Sequence, residues 1–272
     1  MQENKSILGK RVSSPDKYCP QILTPIKRYK LEKSKLSIHT KRNKSYGQDS
    51  FTCYELSWLK HSGIPSNGIL YIDYPSESKA FIESKSLKLY LNSLNNYKST
   101  RKELRKTIKS DLEDCLRCPI NLRILNKPLL RKYPNSYKSI NTLSINNIFS
   151  KVDRSILEVD PTNQIKDHKL SCSLFRSLCP VTNQPDWATI FINYSGKLMS
   201  ERSILEYLLS FREHKGFHEE CAERIYQDVL YASNAVKLEV ESRFLRRGGI
   251  EINSFRSNEK KFIYSPKKDL RQ

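Results

Sequence analysis

The sequence predicts an α+β protein that contains one module twice, each copy an antiparallel ββααββ sheet with a helix pair on one face. The second half of the chain reads as two strands, two helices and two strands, the order expected for such a layer. Its helices carry apolar residues at helical spacing, as in Phe217, Cys221, Ile225 and Val229. The two halves also match at a constant offset of 117 residues, which indicates an internal repeat.

The repeat is carried by the two helix pairs. Tyr90 and Asp111 in the first half correspond to Tyr207 and Asp228 in the second, at the same offset. Because the offset is shared by both helices of each pair, we interpret the chain as two copies of one module.

Local patterns place the elements of both copies. In the first half they predict strand 52–59, strand 69–74, helix 83–94, helix 100–112 and strand 120–125. In the second half they predict strand 170–178, strand 187–194, helix 201–211, helix 217–231, strand 236–245 and strand 250–255. We expect a basic N-terminal extension over 1–45, a first module over 46–140 and a second over 141–272.

Composition excludes several classes of protein. The 272 residues hold only short apolar stretches, such as Ile69–Ile72, so we expect no transmembrane helix, and Met1–Lys10 lacks the apolar centre of a signal peptide. We therefore expect a cytoplasmic protein whose seven cysteines are reduced thiols. Eight glycines, of which only Gly248-Gly249 are adjacent, form neither GxGxxG nor GxxxxGK[ST].

The net charge of +19 would suit a nucleic-acid-binding protein. The basic residues are scattered, however, over residues 1–50 and the run Lys98–Lys109, and such runs are more often a solvated surface. A basic RNA-binding protein is therefore kept as an alternative function. We expect no specific nucleic-acid partner and only weak binding that falls as salt rises.

The segment Cys179-Pro-Val-Thr-Asn-Gln-Pro-Asp186 lies between two predicted strands and could place a thiol and a carboxyl in one pocket. A thiolate is a strong nucleophile and a carboxylic acid can donate a proton. Spacing alone leaves the ordinary explanation open, because a free cysteine is often a small buried hydrophobe and Asp after Pro is a turn former.

His218 and Glu219 open the last predicted helix, where the first copy has Arg101-Lys102. A carboxylate there is favoured by the helix dipole and could accept N–H bonds from a guanine-like edge, although ordinary capping explains it equally well. His214 and His218 are four residues apart, but no third ligand accompanies them, and Cys115-x-x-Cys118 lacks a partner pair. We therefore expect no metal.

Two further segments could hold phosphates without a glycine-rich loop. Glu83–Tyr90 places lysines and serines near a helix start, and Arg246–Gly249 places two guanidinium groups beside accessible backbone. An exposed basic helix and a hairpin turn would account for the same residues.

Taken together, four segments resemble the NADPH-dependent 7-cyano-7-deazaguanine reductases, in the long, two-module form of that family. The matching segments are 179–187, 83–90, 217–219 and 246–258, and 18–28 and 54–59 look like that form's N-terminal module. The resemblance covers most of residues 18–258. It implies two tandem tunnelling-fold modules, the fold of GTP cyclohydrolase I.

The resemblance also implies roles for individual residues. Cys179 would form a covalent thioimide with the nitrile, and Asp186 would donate the proton. Substrate-binding roles are implied for Ile82, Glu83, Ser84, His218 and Glu219, and cofactor-binding roles for Ser84, Lys85, Arg247 and Gly248.

The function implied is the reduction of 7-cyano-7-deazaguanine to 7-aminomethyl-7-deazaguanine with NADPH, in queuosine biosynthesis for tRNA. The implied partners are a small deazapurine substrate and a second copy of the chain, with neither a membrane nor a metal. Since the implied residues come from both modules, the active site is expected between them. A cyclohydrolase-like enzyme acting on another purine or pterin is a further alternative, but it would need zinc ligands, and none are suitably spaced.

Overall fold

A computed structural model describes residues 13–28, 45–129, 136–261 and 271–272. The chain forms two compact units. Of the described residues, the first unit holds 13–28, 50–129 and 246–251, and the second holds the others. Most of the predicted basic extension, 1–45, lies outside the described residues, and the predicted module boundary at residue 140 stays a prediction.

The strands of the first unit flank one helix pair. They are β1 (Pro25–Lys27), most of β2 (Tyr46–Leu59), β3 (Pro65–Pro75), β4 (Ala80–Ile82) and β5 (Asn121–Leu125). Strand β3 is hydrogen-bonded to β2 on one side and pairs antiparallel with β5 on the other. Strands β1 and β4 form a separate antiparallel pair. The sequence did not predict this pair, because three-residue strands are too short to show an alternating pattern.

The first unit's helices are α1 (Ser84–Ser93) and α2 (Arg101–Leu116). Helix α2 begins with a capping box, in which the Thr100 side chain accepts from the Glu103 N–H and the Glu103 carboxylate accepts from the Thr100 N–H. After these two helices, the described residues of the first unit up to 129 contain one strand, β5. The second of the two strands expected there, which would complete a ββααββ order, is not found among those residues.

The second unit contains the longest strands. They are β6 (Lys138–Ser139), β7 (Val159–Leu178), β8 (Pro185–Met199), β9 (Lys237–Phe244) and most of β10 (Ile250–Ser257). Strands β7 to β10 pair antiparallel in the order β7-β8-β9-β10, and β6 runs parallel to β7 at the edge. Its helices are α3 (Glu201–Leu209), which continues as a 3-10 turn to Glu213, and α4 (His218–Ser233).

The helices of the second unit pack one apolar face on its sheet. Their buried residues meet those of the strands in one core that includes Ile190, Ile192, Val240, Leu205, Leu208, Ile225 and Val229. Each fully buried aliphatic side chain contributes about 1.5–3 kcal/mol. The predicted ββααββ order is confirmed for this half.

The fold is thus a mixed α+β protein rich in antiparallel strands, as the sequence predicted. In the part of the chain that the structure describes, no helix combines the length and the apolar character needed to span a membrane.

Candidate active site

The loop that joins β7 to β8 folds back on itself at Cys179. The Cys179 N–H donates to the Gln184 carbonyl at 2.9 Å, and the Asn183 N–H donates to the Cys179 carbonyl at 3.0 Å. Asn183 adopts a left-handed conformation with φ +55°, which Asn tolerates better than most residues. Strand register places Ser177 opposite Asp186. Both predicted catalytic residues therefore lie at the same end of the β7–β8 hairpin.

Cys179 differs from three of the other six cysteines in its exposure. It is partly exposed, whereas Cys53, Cys172 and Cys221 are buried. Burial raises the pKa of Cys172 to about 11 and raises that of Cys221 further, so these thiols stay protonated at neutral pH. Of these four thiols, only Cys179 is open to a substrate.

Asp186 lies beside His218. The carboxyl is 5% exposed, and its Oδ2 is 3.4 Å from His218 Nε2. The imidazole stacks on the Phe244 ring, with 3.8 Å between centroids and 13° between planes. Its Nδ1 is buried and makes no hydrogen bond to the described residues. The imidazole is therefore held flat on β9 with one nitrogen directed at the carboxyl.

The chain before α4 is anchored to the end of β7. The Leu178 N–H donates to the His214 carbonyl at 2.8 Å, and the Gly216 N–H donates to the Leu178 carbonyl at 3.1 Å. A Cβ on Gly216 would lie 3.0 Å from His214 Nε2, so glycine suits this close approach. These bonds bring the first turn of α4, with His218, beside the Cys179 loop.

Glu219 follows His218 and is only 2% exposed. Its backbone carbonyl lies 3.5 Å from Nη2 of Arg256, a buried residue of β10. The structure thus places Cys179, Asp186, His218 and Glu219 in one unit, at one end of the β7–β8 hairpin and the start of α4.

The remaining predicted residues lie in the first unit. Ile82 is buried in β4, and Glu83 caps α1, with its carboxylate accepting from the N–H groups of Lys85 at 2.8 Å and Ser86 at 2.6 Å. Ser84 and Lys85 are partly exposed in the first turn. Sequence reasoning gave Glu83 a ligand role only and missed this capping role, which a carboxylate just before a helix start could have indicated.

Arg247 and Gly248 form a tight turn that lies against α1. The N–H groups of Arg247 and Ile250 each donate to the other residue's carbonyl, at 3.0 and 3.1 Å. Gly248 has φ +51°, and a Cβ there would lie 3.0 Å from Cε of Lys88. Lys88 is one helical turn beyond Lys85. The structure therefore places the turn that holds Gly248 against Lys88 of α1, within the first unit.

These residues suit a phosphate-bearing cofactor. Lys85, Lys88 and Arg247 supply cationic groups, and the absence of a side chain at Gly248 lets the Lys88 side chain approach the turn closely. In the described parts of the chain, no three His, Cys, Asp or Glu side chains are grouped as metal ligands would be. Burial lowers the pKa of His214, which keeps that imidazole neutral at physiological pH.

Sequence reasoning missed two residues of the second unit. Phe244, on which His218 stacks, and Arg256, which contacts Glu219, were given no role. One signal was available for Arg256: it is a long charged residue in a strand whose neighbours are mostly small or apolar. Phe244 looked like any core aromatic.

Comparison with known proteins identifies a class of enzyme, the nitrile reductases. A family profile described as "Nitrile reductase, 7-cyano-7-deazaguanine-reductase N-term" matches residues 14–124, and one described as "QueF-like protein" matches 185–262.

Curated relatives named NADPH-dependent 7-cyano-7-deazaguanine reductase match over nearly the whole chain. The protein of Acinetobacter baylyi is 38% identical over 274 residues, which cover 100% of both chains. That of Stenotrophomonas maltophilia is 38% identical and covers 93% of this chain and 92% of its own. That of Hahella chejuensis is 36% identical and covers 94% of each. The chain belongs to the 7-cyano-7-deazaguanine reductase family. This result confirms the family, the oxidoreductase class and the NADPH cofactor that the motifs predicted.

Proposed function

We propose that the chain reduces the nitrile of 7-cyano-7-deazaguanine to the aminomethyl group of 7-aminomethyl-7-deazaguanine, through a thioimide formed on Cys179. The observation that carries this proposal is the grouping of a partly exposed thiol with a buried carboxyl that lies 3.4 Å from an imidazole. The family to which the chain belongs supports it.

In the first step, the Cys179 sulfur adds to the nitrile carbon and Asp186 gives a proton to the nitrile nitrogen. One S–C bond and one N–H bond form, the C≡N bond becomes C=N, and the S–H bond of Cys179 and the O–H bond of Asp186 break. The thiol proton returns to the Asp186 carboxylate, so the net change is addition of the thiol across the nitrile and no group leaves. Splitting a difficult reduction in this way is the usual gain from a covalent intermediate. The thioimide carbon is a better hydride acceptor than the nitrile carbon.

His218 orients the proton donor. Its Nε2 faces Asp186 Oδ2, and its stacking on Phe244 prevents the ring from turning away. After Asp186 has donated its proton, the His218 imidazole can supply another to the carboxyl. The reduction of a nitrile to an amine takes up two protons, so the donor must be reprotonated. Glu219 offers a carboxylate to the N–H groups of the substrate's pyrimidine edge, and Glu83 is proposed as a second anchor.

NADPH, when bound, supplies one hydride, so the conversion of a nitrile to an amine takes two NADPH molecules in succession. Ser84, Lys85, Arg247 and Gly248 are proposed to bind it. The cations among these residues favour the phosphorylated cofactor over NADH, because an additional phosphate needs fixed positive partners.

Further proposals rest on the sequence and on family membership. We propose that each half adopts the tunnelling fold and that the chain forms homodimers. We also propose that it acts in the cytoplasm in queuosine biosynthesis and binds no nucleic acid specifically. Sedimentation of the purified chain tests the homodimer, and titration with labelled tRNA at rising salt tests the last proposal.

The test of function is the loss of NADPH absorbance when 7-cyano-7-deazaguanine is added. The wild-type chain should consume two NADPH per nitrile, and Cys179→Ala should consume none. Cys19→Ala is the matched control, because Cys19 is also partly exposed but is distant in sequence from the loop. Nitrile reduction by Cys179→Ala would contradict the proposal.

A further inference from the structure

A buried charge cluster lies beneath the first turn of α4, and the proposed mechanism does not use it. Its centre is Arg256, which is 0% exposed. Arg256 Nη1 donates to Asp49 Oδ1 at 2.9 Å, and Nε donates to Glu223 Oε2 at 2.9 Å. The same guanidinium reaches the Glu219 carbonyl through Nη2 at 3.5 Å. All four residues belong to the second unit.

The guanidinium holds α4 at two positions on one helical face. Glu219 and Glu223 are four residues apart, so they lie one above the other on the helix. Arg256 contacts the backbone of the first and the side chain of the second. A planar guanidinium with five fixed donors can bind both at once, whereas an ammonium group acts from a single point.

Asp49 fixes the third side of the guanidinium. The approach of β2 to β10 is very close here, because a Cβ on Gly47 would lie 2.0 Å from the Phe255 carbonyl oxygen. Desolvation opposes the charge on Arg256, but Asp49 and Glu223 outweigh it and raise the pKa of the guanidinium. Ser45 also donates its hydroxyl to Glu223. The cluster therefore joins strands β2 and β10, helix α4 and the residue just before β2.

A buried charge cluster is not by itself a sign of stabilisation. Replacing a buried ion pair by well-packed apolar residues is often neutral or stabilising, so the pair is weak evidence of a stabilising role. A fixed set of charged hydrogen bonds does restrict geometry. The position that this set restricts is the turn that carries His218 and Glu219.

We propose that Arg256 is a positioning residue, which sets the place of the Glu219 carboxylate through its contacts with the Glu219 carbonyl and with Glu223. This inference rests on the proposed function, in which Glu219 binds the substrate. Arg256 itself touches neither substrate nor cofactor in this account. Its effect should therefore appear in the binding of the nitrile substrate and not in the binding of NADPH.

The test is a double-mutant cycle on the full-length chain with 7-cyano-7-deazaguanine and NADPH. Arg256→Lys should raise the KM for the nitrile on the order of tenfold, since small displacements of a binding group are costly, and change the KM for NADPH by less than about twofold. The KM of the double variant for the nitrile should exceed that of Glu219→Gln by less than about twofold, because Arg256 acts through Glu219.

Arg243→Lys is the matched control. Arg243 is also buried, at 2% exposure, and it donates to Glu241 of the same strand, β9, at 2.7 and 2.8 Å. It should lower the melting temperature without changing the KM for the nitrile. If Arg256→Lys does not fold, Asp49→Asn removes one support of the guanidinium and enters the same cycle.

Each outcome decides the proposal. The proposal is overturned if the folded Arg256→Lys protein, or Asp49→Asn in its place, has the wild-type KM for the nitrile. It is also overturned if the increase in KM in the double variant equals the product of the increases in the two single variants. A wild-type chain that does not reduce the nitrile contradicts the proposed function, and an unchanged KM in Glu219→Gln contradicts the role of that residue. In both of those cases the positioning role of Arg256 is also rejected.

Discussion

The two helix pairs are held together by the same bonds but differ at their N-terminal ends. In α1–α2 the Tyr90 hydroxyl donates to Asp111 at 2.5 Å, and in α3–α4 the Tyr207 hydroxyl donates to Asp228 at 2.8 Å. The partners correspond at the 117-residue offset seen in the sequence. The repeat detected in the sequence is therefore a repeated hydrogen bond between helices.

Serine bonds at both ends of the first helix of each pair repeat in the same way. The matching side-chain bonds to carbonyls are Ser86 to Glu83 at 2.7 Å and Ser203 to Ser200 at 2.8 Å, then Ser93 to Tyr90 and Ser210 to Tyr207, both at 2.6 Å. The second helices end alike, with Arg117 and Asn234 in left-handed conformation. These shared residues form the scaffold.

The helix starts are where the copies diverge. Glu83 caps α1 where Ser200 caps α3, and the exposed Lys102 of α2 stands where α4 has the buried Glu219. The bonds between the helices are thus the same in both copies. The residues at the helix starts, where we propose that the ligands bind, differ between the copies.

The largest effect is expected from the diverged start of α4. Glu219→Gln removes a charged acceptor from the proposed substrate site, so kcat/KM for the nitrile should fall by about 10- to 100-fold. Lys102→Gln, at the equivalent position of α2, should leave it unchanged. Steady-state kinetics of both variants check this, and equal losses would remove the distinction between the copies.

The start of the first helix in each pair gives the next effect. Lys85→Ala should raise the KM for NADPH on the order of tenfold, because a fixed cation for a phosphate is lost. Arg202→Ala, at the equivalent position in α3, is the control, since Arg202 is exposed. A similar rise in the KM for NADPH in both variants would argue against a cofactor site in the first unit alone.

The shared bonds should affect stability more than activity. Tyr207→Phe removes a donor from Asp228, which is 2% exposed, and should cost about 1–3 kcal/mol in the free energy of unfolding. Tyr90→Phe should cost less, since Asp111 is partly exposed. Each carboxylate keeps one other partner, the Tyr18 hydroxyl on Asp111 at 2.8 Å and the Arg224 guanidinium on Asp228 at 2.5 Å. Urea denaturation measures both. A larger loss in Tyr90→Phe would show that burial does not set the cost.

The smallest effect concerns the capping box of α2. Hydrogen bonds from Thr100 lower the pKa of Glu103 from 4.5 to about 2. Because the folded pKa is lower than the unfolded one, this carboxylate stabilises the fold above the unfolded pKa and loses that effect as pH falls through about 4 towards 2. The difference in stability between wild type and Glu103→Gln should shrink over that range, which chemical denaturation at several pH values can follow. A difference that stays constant from about pH 4 to about pH 2 would contradict this role of Glu103.

Sequence reasoning located the helices and strands whose apolar residues recur at a clear helical or strand spacing. Helix α2 ends at Leu116 instead of 112 and β7 begins at Val159 instead of 170, because the polar face of a helix end and the exposed part of a hairpin carry little apolar pattern. The Cys179 loop was recognisable as a motif. The stacking of His218 on Phe244 and the cluster around Arg256 depend on strand pairing between residues far apart in sequence, which local patterns do not contain.

The central claim is that the thiol of Cys179, and no other, bonds to the nitrile carbon. Intact-mass spectrometry of the wild-type chain with 7-cyano-7-deazaguanine and no NADPH tests it most directly. We expect one adduct per chain, located on the Cys179 peptide and absent from Cys179→Ala. Its mass gain should equal the whole substrate, because no group leaves. An adduct on the Cys172 or Cys221 peptide, or nitrile reduction by Cys179→Ala, would contradict it.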